Sequence, residues 1–165
     1  VLAHVQAVAA YAYVLALALR RSGENVDPVL THRGGLLHDV AKLSSRNGPH
    51  VDHAAAGAHF LRERGQADLA EIAYRHILSC ITDQKRAPRV WEEKLVYFAD
   101  KLVEGSRLVP IETRLEALKN RYQIEADLVD TWIKSIRELQ TELLSKLGWT
   151  RDEMLKNLAD AGYEP

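Results

Sequence analysis

Leu115, Leu118 and Tyr122, then Val129, Trp132, Ile136, Leu139, Leu143 and Leu147, recur within each run at intervals of three and four residues. Side chains so spaced share one face of an α-helix; they cannot share one face of a strand, whose period is two. Helical patterns fill almost all of the remaining chain, and no run of alternating polar and apolar residues is long enough to argue for a sheet. The expected fold class is all-α, a single-domain helical bundle.

Punctuation divides that pattern. A first helix spans about residues 2–21 and stops near Ser22-Gly23, where glycine can take the left-handed conformation that ends helices. Asp27 as N-cap and Pro28 at the first helical position start a second, which runs to about Leu43 and the turn cluster SSRNGP. Further helices are expected over about 52–64, 66–82 and, after QKRAPR, 90–105. Gly148-Trp149-Thr150 turns the chain into a last helix reaching about Ala161.

Within the second helix, GGLLHDVAKL (residues 34–43) carries a fault. Leu36, Leu37, Val40, Ala41 and Leu43 read as a core face, yet His38, Asp39 and Lys42 interrupt it. Adjacent helical residues diverge by about 100°, so His38 and Asp39 reach one ion only over the edge they share, and other helices must complete its shell. Lys42, four residues after His38, projects about one turn along, where a cation suits a metal-bound phosphate better than a bare metal. A lone His-Asp pair is equally readable as a core histidine bonded to a backbone carbonyl.

Its company argues otherwise. His4, His53, His76 and Asp100 each interrupt an apolar helical context, and an uncompensated buried polar group costs several kcal/mol. Asp100 lies between Tyr97-Phe98-Ala99 and Leu102-Val103, where a metal or another cation would account for a carboxylate. All seven histidines fall in the first 76 residues, so function is expected in the first half.

His4, His38-Asp39 and Asp100 together resemble the signature of the HD-domain superfamily of metal-dependent phosphohydrolases, an all-α fold whose ligands come from successive helices. HDVAK is similar to the branch in which lysine follows the His-Asp pair, HAAAGAHFL to that branch's histidine followed by Gly-Ala, and FADKLVEGSR to the family's closing aspartate segment. The resemblance covers residues 1–107 as a core, leaving 108–165 as C-terminal helices that pack on it or form an interface. It implies that His4, His38, Asp39 and Asp100 hold a first metal. Asp39 then bridges to a second, weaker one held by His53 and His76. Asp39 and Lys42 are the implied catalytic residues, Lys42 and Arg107 the contacts to substrate phosphate. Mononuclear nucleotidases of the superfamily carry a glutamate close after the His-Asp pair; lysine at 42 favours two metals. The closing segment also resembles HD domains that accompany nucleotidyltransferase domains in longer chains, in keeping with a first residue that is Val rather than Met.

Imidazole and carboxylate together suit Mn, Fe, Ni or Zn better than Mg. The expected activity is hydrolysis of a phosphate mono- or diester, of a nucleotide by preference, through metal-activated water. Two alternatives stand beside it: a regulatory module that binds metal and nucleotide without turnover, and a helical domain that dimerises through the 129–147 stripe.

The 22 Lys and Arg nearly cancel the 23 Asp and Glu, leaving no global field to draw the chain onto a nucleic-acid polymer or a membrane. The single cysteine, Cys80, excludes a disulfide framework within the chain and fits a reducing compartment such as the cytoplasm. VQAVAAYAYVLALALRR is shorter than the roughly 20 residues of a membrane span and reads as a buried helix. His50 is an alternative second-metal ligand, while His32 and His59 point to other faces. Cys80 reads as a buried hydrophobe, and Trp91, Trp132 and Trp149 as packing anchors. For a nucleotide substrate, Lys85 and Arg86 are candidates for the mouth of the site.

Overall fold

A computed structural model describes residues 1–42 and 52–161; SSRNGP and His50 lie outside the described residues. The helices are α1 (Leu2–Arg21), α2 (Pro28–Leu37), α3 (His53–Arg62), α4 (Ala67–Tyr74), α5 (Trp91–Asp100), α6 (Ile111–Tyr122), α7 (Ala126–Leu147) and α8 (Arg151–Asp160), with a 3-10 turn at Leu78–Thr82. The fold is all-α, of the HD type. One small addition escaped the periodicity: β1 (Val103–Glu104) pairs antiparallel with β2 (Arg107–Leu108).

The caps behave as their side chains dictate. Asp27 accepts hydrogen bonds from the amides of Val29 and Leu30 at 2.8 and 3.0 Å, with Pro28 opening α2. Asp52 does the same for Ala54 and Ala55, and Thr150 with Glu153 forms a capping box on α8.

α1 lies at the centre, packed on α2 and α5. It is long and apolar enough to cross a membrane by length and composition, but here half of its apolar window is buried in the bundle. Ala7, Ala9, Ala12 and Ala16 are fully buried, and such small residues let α2 approach closely. The approach is closest at Gly35, where a Cβ would stand 2.5 Å from Ala9 Cα; one on Gly34 would meet Ile72 at 2.6 Å. The two glycines thus seat α2 against α1 and Ile72 of α4.

The C-terminal stripe joins the same core. Val129, Ile136, Leu139 and Leu143 are buried with Leu15 of α1, Phe98 of α5 and Leu158 of α8. Each such burial contributes roughly 1.5–3 kcal/mol, and these four side chains are not available to a second copy.

Three helices end earlier than their apolar spacing suggests: α2 at Leu37 rather than Leu43, α4 at Tyr74 rather than 82, and α5 at Asp100 rather than 105. Beyond Leu37 the backbone bonds tighten to three-residue closures, Val40 N–H to Leu37 O and Lys42 N–H to Asp39 O. His38 and Asp39 therefore stand at a helix end and not on a helical face, so the argument from 100° steps does not apply to them.

Candidate metal centre

Helix ends build the site. His4 lies in the first turn of α1, His38 caps α2, His53 opens α3, His76 follows α4, and Asp100 closes α5. Free carbonyls at helix C-termini need donors, and the imidazoles provide them. Nδ1 of His38 lies 2.7 Å from Gly35 O, Nδ1 of His76 2.6 Å from Ala73 O, and Nδ1 of His4 3.0 Å from Gly105 O in the β-hairpin turn. With Nδ1–H donating to a carbonyl, each ring is left with its Nε2 lone pair facing the others. This is the tautomer that ligates metals.

Those Nε2 atoms converge on two carboxylates. His4 Nε2 is 2.9 Å and His38 Nε2 3.8 Å from Asp100 Oδ1, and His38 Nε2 is 3.6 Å from Asp39 Oδ2. On the other side of Asp39, Oδ1 lies 3.4 Å from His53 Nε2 and 3.3 Å from His76 Nε2, which are 3.2 Å apart. Two ligands of one zinc-like ion, each about 2.0–2.2 Å from it, stand roughly 3–3.5 Å apart at near-tetrahedral angles. Asp39, His53 and His76 meet that spacing, as do His4 and Asp100, with His38 slightly wider. The two oxygens of Asp39 face different histidine sets, as a bridging carboxylate requires.

Two buried atoms test whether a cation belongs there. His38 Nε2 and Asp39 Oδ1 have no hydrogen-bond partner among the described residues. His38 is 1% and Asp39 3% exposed, too deep for bulk water to compensate the loss. A divalent ion on each side of Asp39, one meeting His38 Nε2 and the other Asp39 Oδ1, would satisfy both, so the donor set fits a metal.

Electrostatics agree. Burial, then the charge of His76, pushes the His38 imidazole down to about 4, so it is a neutral donor at neutral pH. Burial alone would raise the Asp39 carboxyl, but His53, His76 and His38 more than reverse this and hold it well below the usual carboxylate range. Asp100 is likewise held low: burial opposes ionisation, and Lys101 with His4 and His38 overcomes it.

Lys42 Nζ donates to Asp39 Oδ2 at 2.7 Å, and its side chain is only partly covered, beside the ligands. Arg107 lies on the exposed edge of β2 and does not line the cavity over Asp39; Arg114 does. The hairpin carries Arg107 outward, and α6 returns Arg114 to within 3.7 Å of Asp100 Oδ1, steadied by Glu104.

Lys101 was also missed. It is 1% exposed, donates to Asp100 Oδ2 and, at 2.8 Å, to His76 O, and so ties two ligand segments together. Burial draws its ammonium pKa down despite the attraction of Asp100. Asp100 thus has Lys101 on one oxygen, and the imidazoles of His4 and His38 with the Arg114 guanidinium near the other. The only sequence signal was a lysine inside an apolar run, and a lysine there is ordinarily taken as exposed.

Other candidates fall away from the centre. His59 is exposed near Glu63, and His32 packs edge-on against Tyr13. Cys80 is buried, and burial raises its thiol pKa. Arg86 is not free for substrate: it donates to Asp52 Oδ2 at 2.6 Å and to Tyr74 O at 2.8 Å, fastening the start of α3, which bears His53, to the end of α4. Lys85 is exposed. Trp91 and Trp149 pack on the core, whereas Trp132 lines the cavity above the site with Leu118, Tyr122 and Ile124. The histidine-free half therefore builds part of the site.

Residues 1–105 match the HD domain, and the chain belongs to that family, part of a superfamily of metal-dependent phosphohydrolases. It is also similar to an uncharacterized protein of Methanocaldococcus jannaschii, 39% identical over 132 residues that cover 73% of this chain and 76% of that protein. No solved structure gives a significant match.

Proposed function

We propose that this chain is a phosphohydrolase that cleaves a small phosphate ester, with nucleotides as the first class to test. The observation that carries the reading is the pair of orphaned buried atoms, His38 Nε2 and Asp39 Oδ1, at the meeting point of four imidazoles and two carboxylates. His4, His38, Asp39 and Asp100 would hold one ion and Asp39, His53 and His76 a second; their mixed nitrogen and oxygen character suits Mn, Fe, Ni or Zn. A bound ion of this kind supplies acidification of water and polarisation of a phosphoryl oxygen.

The chain's own groups perform the remaining work. Lys42, part-exposed, and Arg114, both lining the cavity, can each meet an equatorial phosphate oxygen and neutralise the charge that grows there. Asp39, held ionised, keeps its negative charge between the two histidine sets. Lys101 fixes Asp100 and the His76 backbone, so that ligands from α4 and α5 hold one geometry without substrate.

The experiment is elemental analysis of protein purified without chelators, followed by turnover of mono-, di- and dinucleotides with added Mn²⁺. One tightly held transition ion per chain, a second weaker one, and phosphate release are expected. A protein that takes up no transition metal even after reconstitution would sink the enzyme reading, and metal without turnover of any ester would favour a regulatory binding module.

A further inference from the structure

Above the metal centre, helices α6 and α7 meet in an elbow that, besides the side chains it sends into the core, lines the site cavity with apolar groups. Gln123, at φ 53°, makes the turn. Tyr122 just before it is 60% exposed, and Trp132, one and a half turns into α7, is only half-buried. Leu118 and Ile124 complete this wall. The Trp132 indole is anchored by its Nε1–H, which donates to Thr82 Oγ1 at 3.2 Å. Wall and metal centre share one cavity of about 260 Å³, whose other end holds Asp39, Lys42, Lys101 and Arg114.

We infer that this wall is the subsite for the organic group of the substrate, and that Trp132 and Tyr122 select phosphomonoesters bearing a flat apolar or aromatic body over polyol phosphates. The inference rests on the phosphohydrolase reading for the fate of the ester but not for its binding. Cations at one end and aromatic faces at the other match a ligand with an anionic head and an apolar body. A polyol would place hydroxyls against Leu118, Ile124 and the Trp132 ring face, which cannot bond them. The volume lies below the roughly 300–1,000 Å³ usual for small-molecule sites, so the ligand is compact. The wall belongs to residues 118–132, beyond the HD match at 1–105.

The test compares two non-hydrolysable probes, phenylphosphonate and methylphosphonate, by calorimetry on the Mn²⁺-loaded full chain. Stacking on an aromatic face is worth about 1–3 kcal/mol, so phenylphosphonate should bind at least about fivefold more tightly. That ratio should collapse toward one in Trp132→Ala, persist in Trp132→Phe, and fall part-way in Tyr122→Ala, whose exposed side chain the fold does not need. Helical circular dichroism is recorded for each variant; if Trp132→Ala does not fold, the Tyr122→Ala ratio decides. Equal affinities in the parent, or a ratio that survives both alanine variants, would overturn the subsite. Hydrolysis of phenyl phosphate and glycerol 2-phosphate is followed on the same samples. A preserved phosphonate preference with no hydrolysis of either ester refutes the phosphohydrolase reading while leaving the subsite standing.

Discussion

His38 and His76 meet edge to face with ring centroids 4.9 Å apart, and each fastens its Nδ1 to the carbonyl three residues behind it, Gly35 O and Ala73 O. The two rings come from different helix ends and are held by the same local device. Because the carbonyls belong to α2 and α4, the aim of both Nε2 atoms is set by how those helices are seated.

Gly35→Ala therefore tests the seating. A Cβ there would lie 2.5 Å from Ala9 Cα and 2.9 Å from Ala9 N, backbone atoms that cannot swing aside. Overpacking of this kind costs about 1–3 kcal/mol, and the upper end is expected. Urea denaturation should show the loss, and metal affinity should fall as the Gly35 carbonyl moves. A variant as stable as the parent would mean that α1 and α2 are not packed this closely.

Asp39→Asn keeps the volume and removes the charge between the two histidine sets. The second, weaker ion should be lost first, and turnover should fall by more than the roughly 10–100-fold typical of partners behind metal ligands. Metal content, melting temperature and hydrolysis are measured on one sample, so that unfolding is not mistaken for lost ligation. A folded variant with the parent's metal and activity would return Asp39 to the role of a core partner for His38.

Lys42→Ala should leave metal content unchanged. Hydrogen bonds to charged groups are worth about 1.5–3 kcal/mol, so kcat/KM for phosphate esters should drop roughly 10–100-fold. Loss of metal in this variant would place the lysine among the supports of Asp39 instead, to which it donates at 2.7 Å.

Acid should weaken the metal-free protein in two stages. Burial, with His76, holds His38 at about 4 in the folded state, against about 6.5 when unfolded. Between those values the unfolded chain binds the extra proton, so the stabilisation is present above pH 6.5 and lost as pH falls to 4. The loss is on the order of 3 kcal/mol. Asp39 and Asp100, held low in the fold, extend it below pH 4. Urea midpoints at pH 7.5, 5.5 and 4 measure this; a flat profile from 7.5 to 4 would contradict a buried neutral His38.

Sequence alone determined the helices, their caps at Asp27 and Gly148, and the set His4, His38, Asp39, His53, His76 and Asp100 that the fold brings together. Period, capping chemistry and the cost of burying polar groups act locally, so a reader of the chain can apply them. Tertiary structure decided where α2, α4 and α5 stop: imidazoles of His38 and His76 supply donors to carbonyls in the last turns of α2 and α4, and backbone amides of Lys101 and Leu102 do so at the end of α5. It also decided that Arg114 lines the cavity over the centre, that Lys101 is buried against Asp100, and that Trp132 serves a cavity instead of the core. These depend on encounters between side chains on separate elements, Trp132 with Thr82 at fifty residues' distance and Lys101 with His76 at twenty-five. No local period encodes such a meeting; it exists only once the helices have packed.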